Sequence, residues 1–147
     1  MPSLWNDTDR NALLARLNRL TPAHERRWGT MTAPQMLAHL NDAFMLATGE
    51  LKVPVNRSPL SMSPFKEIVI KWVPFPKGLP IARELVSRQP DDWQSEMRRF
   101  HERANDLLAR PRDGAWGSHP VFGRLSGKLW GILGYRHTDH HLRQFGL

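Results

Sequence analysis

The chain of 147 residues has no cysteine. Disulfide bridges are excluded, and with them thiolate metal ligands and a cysteine nucleophile. Any metal must be held by His, Asp, Glu or water, which points to Zn, Ni, Fe or Mn rather than Cu(I) or an iron–sulfur cluster. Long apolar runs are missing too. The best stretch, Ile68-Val69-Ile70-Lys71-Trp72-Val73, is short and interrupted by a lysine, so no segment is expected to span a bilayer. The polar, early-acidic start Met-Pro-Ser-Leu-Trp-Asn-Asp lacks the basic end and apolar core of a signal peptide. A soluble cytoplasmic protein is the expectation. Internal repeats and low-complexity tracts are absent as well, and a chain of this length is most simply one domain, 1–147. It is long enough to bury roughly 70% of its unfolded surface, so it needs no metal merely to fold.

Lysine is scarce. Arginine outnumbers it by 16 to 5, and the net charge is +7. A basic balance favours anionic partners, nucleic acid among them. The arginines are nevertheless scattered from Arg10 to Arg143, with Arg26-Arg27 and Arg98-Arg99 as the adjacent pairs. No basic recognition helix with base-reading residues is present. An arginine-rich solvated surface is the preferred reading over nucleic-acid binding.

Four helical segments are legible. The first starts near Asp7 or Asp9 and reaches about Leu20, with Leu13, Leu17 and Leu20 at helical spacing before Thr21-Pro22. The second opens on the capping box Thr32-Ala-Pro-Gln35 and carries Met36, Leu37, Leu40, Ala43, Phe44 and Ala47 on one face, with Gly49 as its stop. His39 lies on that apolar face. The third follows Asp91-Asp92, is apolar through Trp93, Met97, Phe100, Ala104, Leu107 and Leu108, and closes before Pro111. The fourth follows the glycine-rich turn 114–123, with Ser126 as cap and Gly146 as stop. Leu129, Trp130, Leu133, His137, His141 and Gln144 share its face. Between the second and third helices, Pro54, Pro59, Pro64, Pro74, Pro76, Pro80 and Pro90 make up seven of the chain's twelve prolines. Such density forbids a long helix, although a short amphipathic one fits 64–73. Nothing alternates with a strand-like period. The pattern predicts an all-α four-helix bundle with a Pro-rich insertion at about 50–90 that serves as lid, pocket wall or passive loop.

Chemistry is concentrated in the histidines. His137 and His141 are one turn apart on one helical face. His39 is on the apolar face of another helix. Burying an imidazole costs free energy unless its nitrogens are satisfied, and a divalent ion satisfies one nitrogen of each ring. Taken singly, His39 reads as a hydrogen-bonded core histidine, and His137 with His141 as a cluster near a helix C-terminus. Taken together they point to a metal site with three protein ligands and an open position, the arrangement of catalytic rather than structural zinc. His140 lies about 60° from His137 on the wheel and is a candidate general base, supporting group or surface residue. His119, before the fourth helix, is a second candidate pocket residue, and His101 a weaker one. Asp139 points away from the pair. Arg143 and Gln144 are placed to touch substrate or merely to end the helix. His24 is expected to be solvated.

These residues also carry a resemblance. Trp28-Gly-Thr-Met-Thr-Ala-Pro-Gln-Met-Leu-Ala-His39 resembles the second-helix motif of the DinB/YfiT-like metalloenzymes, and Tyr135-Arg-His-Thr-Asp-His-His-Leu-Arg-Gln-Phe-Gly146 resembles their last-helix motif. With His119-Pro-Val-Phe-Gly123 the chain is most similar to a DinB-like branch classed as a domain of unknown function. The resemblance implies a four-helix bundle in which His39, His137 and His141 bind a divalent metal, zinc or nickel. Better-understood members are thiol-dependent, S-transferases and an isomerase. The resemblance thus implies a thiol-dependent transferase or a hydrolase. Its partners would be a small-molecule substrate and a low-molecular-weight thiol, with homodimerisation left open. A non-catalytic metal- or ligand-binding bundle is the alternative.

Overall fold

The computed structural model of the protein describes residues 1–77 and 88–147. Among them the chain is mostly helical. Five α-helices, α1 (Asp7–Leu17), α2 (Ala33–Thr48), α3 (Phe65–Trp72), α4 (Trp93–Ala109) and α5 (Gly127–Gln144), are joined by a 3-10 turn at Pro59–Ser61 and two strands of two residues each, β1 (Ser118–His119) and β2 (Gly123–Arg124). The strands pair antiparallel, Ser118 opposite Arg124 and His119 opposite Gly123. They are too short for any sequence period to reveal. Pro80 and the rest of 78–87 lie outside the described residues. No helix among the described residues is long and apolar enough to cross a membrane.

Local chemistry accounts for the helix ends. Thr32 and Gln35 close a reciprocal capping box: the Gln35 amide donates to Thr32 Oγ1 at 3.3 Å, and the Thr32 amide to Gln35 Oε1 at 2.9 Å. Asn6, Asp92 and Ser126 cap α1, α4 and α5 through their side chains. The first helix is shorter than its leucine spacing predicts. It stops at Leu17, and Leu20 is buried instead by a turn whose amide donates to the Leu17 carbonyl. Helix α3 has no side-chain cap at its start. Its C-terminal end is held from outside: Arg136 of α5 donates to the carbonyls of Val69 (3.3 Å), Ile70 and Val73 (2.6 Å). Val69 also accepts the Val73 amide at 3.2 Å, whereas Ile70 stands in the last turn, whose carbonyls a short helix otherwise leaves to water.

Helix α2 packs against α4 and α5, and α5 also packs against α1 and α3. The shared core contains Leu13 and Leu17 of α1, Met36, Leu37 and Phe44 of α2, Phe100 and Leu107 of α4, and Trp130, Leu133 and Leu142 of α5. Truncating such a buried Leu to Ala costs about 2–5 kcal/mol. The amino-terminal segment lies across α5. The Leu4 amide donates to the Gly131 carbonyl at 3.0 Å, and a Cβ at Gly131 would sit 2.1 Å from Trp5 Nε1. Only glycine permits that approach.

Helix α4 also buries a charge that its apolar spacing does not announce. Glu96 has 0% exposure. Its carboxylate accepts from Arg88 Nη1 (2.6 Å) and Nη2 (3.1 Å), from Asn41 Nδ2 (2.8 Å) and from the Asp91 amide (3.0 Å). Arg88 Nε also reaches Asp42 at 3.1 Å. The network ties α2 to α4 and to the chain entering α4.

Candidate metal centre

Helix α2 presents His39 toward α5, where one turn of helix separates His137 from His141. The three ring centroids form a near-equilateral triangle with sides of 4.9, 5.0 and 4.8 Å. Their tips converge. His137 Nε2 lies 3.0 Å from His39 Nε2 and 3.1 Å from His141 Nε2. All three candidate donor atoms fall within 4.8 Å of one another. Zinc–imidazole bonds of 2.0–2.1 Å in a tetrahedron require nitrogens roughly 3.3 Å apart. The cluster is therefore the right size for a divalent ion after shifts of a few tenths of an ångström on its short edges. Neutral donors suit such an ion as well. Burial, then the nearby rings of His141 and His39, hold His137 well below the ordinary histidine range. Burial, reinforced by His39 and opposed by the Gln144 hydrogen bond, lowers His141 to about 3.

The orientation of His141 is set by a relay. Its Nδ1–H donates to Gln144 Oε1 at 2.9 Å, and Gln144 Nε2 donates to the Trp28 carbonyl at 2.7 Å. The second bond decides which end of the amide faces the ring, so Nε2 of His141 is the lone-pair nitrogen aimed into the cluster. Gly29 makes room for this amide: a Cβ there would lie 2.4 Å from Gln144 Nε2, and its φ of +78° already disfavours a side chain. Gln144→Leu is expected to leave the fold intact and weaken zinc binding about 10–100-fold, the usual consequence of losing a ligand's outer hydrogen bond. Competition with a chromogenic chelator measures it; unchanged affinity would remove Gln144 from the site.

The three histidines border a cavity of about 990 Å³. Its walls are mainly apolar, with Trp28, Phe44, Phe75, Phe122, Trp130 and Leu133 among them. None of the described residues lining it is Asp, Glu, Lys or Arg. At its edge the His140 ring stands between Trp28 (6.0 Å) and Phe75 (5.9 Å) and against His141 (5.3 Å). Cations back both aromatic rings from outside, Lys77 over Trp28 at 4.4 Å and Arg136 over Phe75 at 4.9 Å.

A family model described as a protein of unknown function (DUF1569) matches residues 6–146 and so spans all three converging histidines. The chain belongs to the DUF1569 family. No curated protein and no solved structure matches it significantly.

The remaining candidates of this DUF1569 chain separate clearly. His119 lines the cavity, its ring tilted against Phe122 (4.8 Å) and Trp130 (5.8 Å). His140 also lines it, and burial lowers its pKa, with Asp139 opposing. His101 is elsewhere, its Nε2 3.1 Å from Asn18 Oδ1. His24 accepts the Thr21 amide in a local turn. Asp139 accepts from Arg16 (2.6 Å) and Arg143 (2.9 Å) and takes no place in the cluster. Arg143 is exposed, and Gln144 is buried, bonded to His141 and part of the cavity lining. Sequence reasoning missed the Gln144–Trp28 bond, the Phe75 wall and the anchoring role of Arg136. A glutamine one helical turn beyond a metal-spaced histidine pair was the available signal for the first.

Proposed function

We propose that His39, His137 and His141 hold one divalent ion, zinc or nickel, and that the protein is a metal-dependent enzyme acting on a small molecule in the adjoining cavity. The convergence of three imidazole Nε2 atoms at the cavity wall carries this reading. Among the described residues no fourth His, Asp or Glu joins the group, and a three-ligand ion retains an open position. When bound, the ion makes a thiol or a water nucleophilic near neutral pH. The chain supplies the rest. Gln144 orients a ligand ring, Trp28 and Phe75 wall one side of the cavity, His140 is the side chain placed to exchange a proton, and His119 is placed to hydrogen-bond the substrate.

The motif likeness to the DinB/YfiT-like metalloenzymes supports the same reading and favours thiol transfer over hydrolysis. It also suggests the fold reading that accompanies it: a single domain in which α1, α2, α4 and α5 form the four-helix bundle and α3 belongs to the Pro-rich insertion. Chelator-free protein is expected to bind about one metal per chain. Its cobalt form should show tetrahedral d–d bands, with a sulfur-to-cobalt charge-transfer band when a small thiol is added. A second reading has its own support. Nitrogens 3.0 and 3.1 Å apart are within hydrogen-bond range, so a metal-free histidine network in a ligand-binding bundle also fits. Failure of zinc, nickel and cobalt to bind the parent protein would establish that alternative and sink the first.

A further inference from the structure

His119 differs from every other histidine at the cavity in how its ring is held. It precedes Pro120 at the end of β1, and the chain turns back over it. The backbone amides of Val121 and Phe122 both donate to its Nδ1, at 3.1 and 3.3 Å. A backbone N–H only donates, so Nδ1 must be the unprotonated nitrogen, and the proton of the neutral ring resides on Nε2. Charging the ring would place a proton on Nδ1 against two amide hydrogens. Burial acts in the same direction and lowers this histidine to about 4. The ring plane is set by Phe122 and Trp130. Among the described residues nothing is hydrogen-bonded to Nε2, which is not one of the chain's sealed polar atoms. The ring is part of the cavity wall, opposite a lining without any Asp, Glu, Lys or Arg among the described residues.

We infer that His119 is a fixed neutral hydrogen-bond donor that orients the cavity's ligand, and that this ligand is an uncharged, mainly apolar molecule bearing an acceptor oxygen. Away from the three converging histidines, no charged side chain among the described residues lines the cavity to compensate an ionised group, and that disfavours one strongly there. A donor held in one tautomer by the backbone selects an acceptor at one place without changing its own charge. This deepens the proposed function by naming its substrate class. It rests on the cavity of that reading, not on the metal.

The test uses three probes of one shape on metal-free and zinc-loaded protein. They are 2-acetylnaphthalene, its oxygen-free isostere 2-isopropenylnaphthalene, and 2-naphthoate. Affinities follow from tryptophan quenching, since Trp28 and Trp130 line the cavity. In metal-free protein the ketone is expected to bind about 3- to 10-fold more tightly than the hydrocarbon, the contribution of one neutral hydrogen bond. The carboxylate should bind at least about 10-fold more weakly than the ketone there. His119→Phe should abolish the ketone preference while keeping hydrocarbon affinity, and His119→Gln should restore part of it. The unmodified protein offers a readout that no folding defect can disturb. The ¹⁵N shifts of His119 should show a pyridine-like Nδ1 and a pyrrole-like Nε2, with the Nε2–H signal moving on ketone binding. Equal affinities for ketone and hydrocarbon, a carboxylate preferred in metal-free protein, the reverse tautomer, or no binding of any probe would each overturn the inference. A ketone preference in protein that binds no metal would leave it standing and remove the metal instead.

Discussion

Replacing any one of His39, His137 or His141 with alanine is expected to lower zinc affinity by more than about 100-fold. Losing an outer hydrogen bond to a ligand costs about 10–100-fold, and removing the ligand itself exceeds that. The same loss appears in stability. At zinc a hundredfold above its dissociation constant, a parent that binds only when folded gains about 2.7 kcal/mol. For a chain of this size that corresponds to a rise in Tm of roughly 5–11 °C. Each variant should lose that rise. His140→Ala should keep most of it, because its ring packs on Trp28, Phe75 and His141 without joining the converging nitrogens. Melting with zinc and with chelator measures both quantities on one sample. A parent whose Tm ignores zinc, or variants that keep the full rise, would refute the three-histidine site.

Removing the Arg88 guanidinium is expected to destabilise the protein by about 3–5 kcal/mol, as for other broken buried ion pairs. Arg88→Ala strips the Glu96 carboxylate, at 0% exposure, of its two bonds from the guanidinium and leaves it the longer contact to Arg99 at 3.5 Å, while Asp42 loses its 3.1 Å partner. Arg88→Met with Glu96→Leu and Asp42→Asn should recover most of the loss, because it removes all three charges of the network together. The pair also sets an acid limit. Burial pushes the Glu96 carboxyl up, but hydrogen bonds from Arg88, the Asp91 amide and Asn41 outweigh it and hold the group at about 2, below its ordinary 4.5. A carboxyl depressed in the folded state contributes stability above its unfolded pKa and loses it as pH falls toward the folded one. Parent stability should therefore decline between about pH 4.5 and pH 2, by at most about 3 kcal/mol from this group. Asp42 acts in the opposite sense, since burial raises its carboxyl above 3.8 despite Arg88, so the measured slope belongs to the network. Urea unfolding at pH 6 and pH 3 gives both terms. An Arg88→Ala variant within 1 kcal/mol of the parent at pH 6 would contradict the assignment.

Much of this molecule is readable because it is local. The Thr32–Gln35 box, the Asp92 and Ser126 caps and the one-turn spacing of His137 and His141 each depend on residues within four positions of one another. Helical periodicity also puts His39 on the side of α2 that meets α5. The convergence of His39 with the α5 pair accordingly matches what the helix faces predict. The end of α1 was overrun because Leu20 belongs to the apolar period but is buried by a turn. Glu96 escaped notice because its neutralising partner, Arg88, is eight positions away and outside any helical pattern. The two short strands left no period at all.

Sequence by itself determined the helices, the absence of a cysteine ligand or nucleophile and the histidines available for a metal, since each follows from composition or from spacing within a single turn. Tertiary structure alone decided how those histidines are held. Gln144 is oriented by the carbonyl of Trp28, 116 positions away, and the closure of α3 depends on Arg136, 66 positions beyond Ile70. The cavity exists because segments from α2, α3, α5 and the β1–β2 turn meet around it, and none of the described residues they bring to its lining is Asp, Glu, Lys or Arg. Hydrogen bonds and packing at such separations leave no repeat in the chain, because the fold brings the partners together and neither segment's pattern specifies the other.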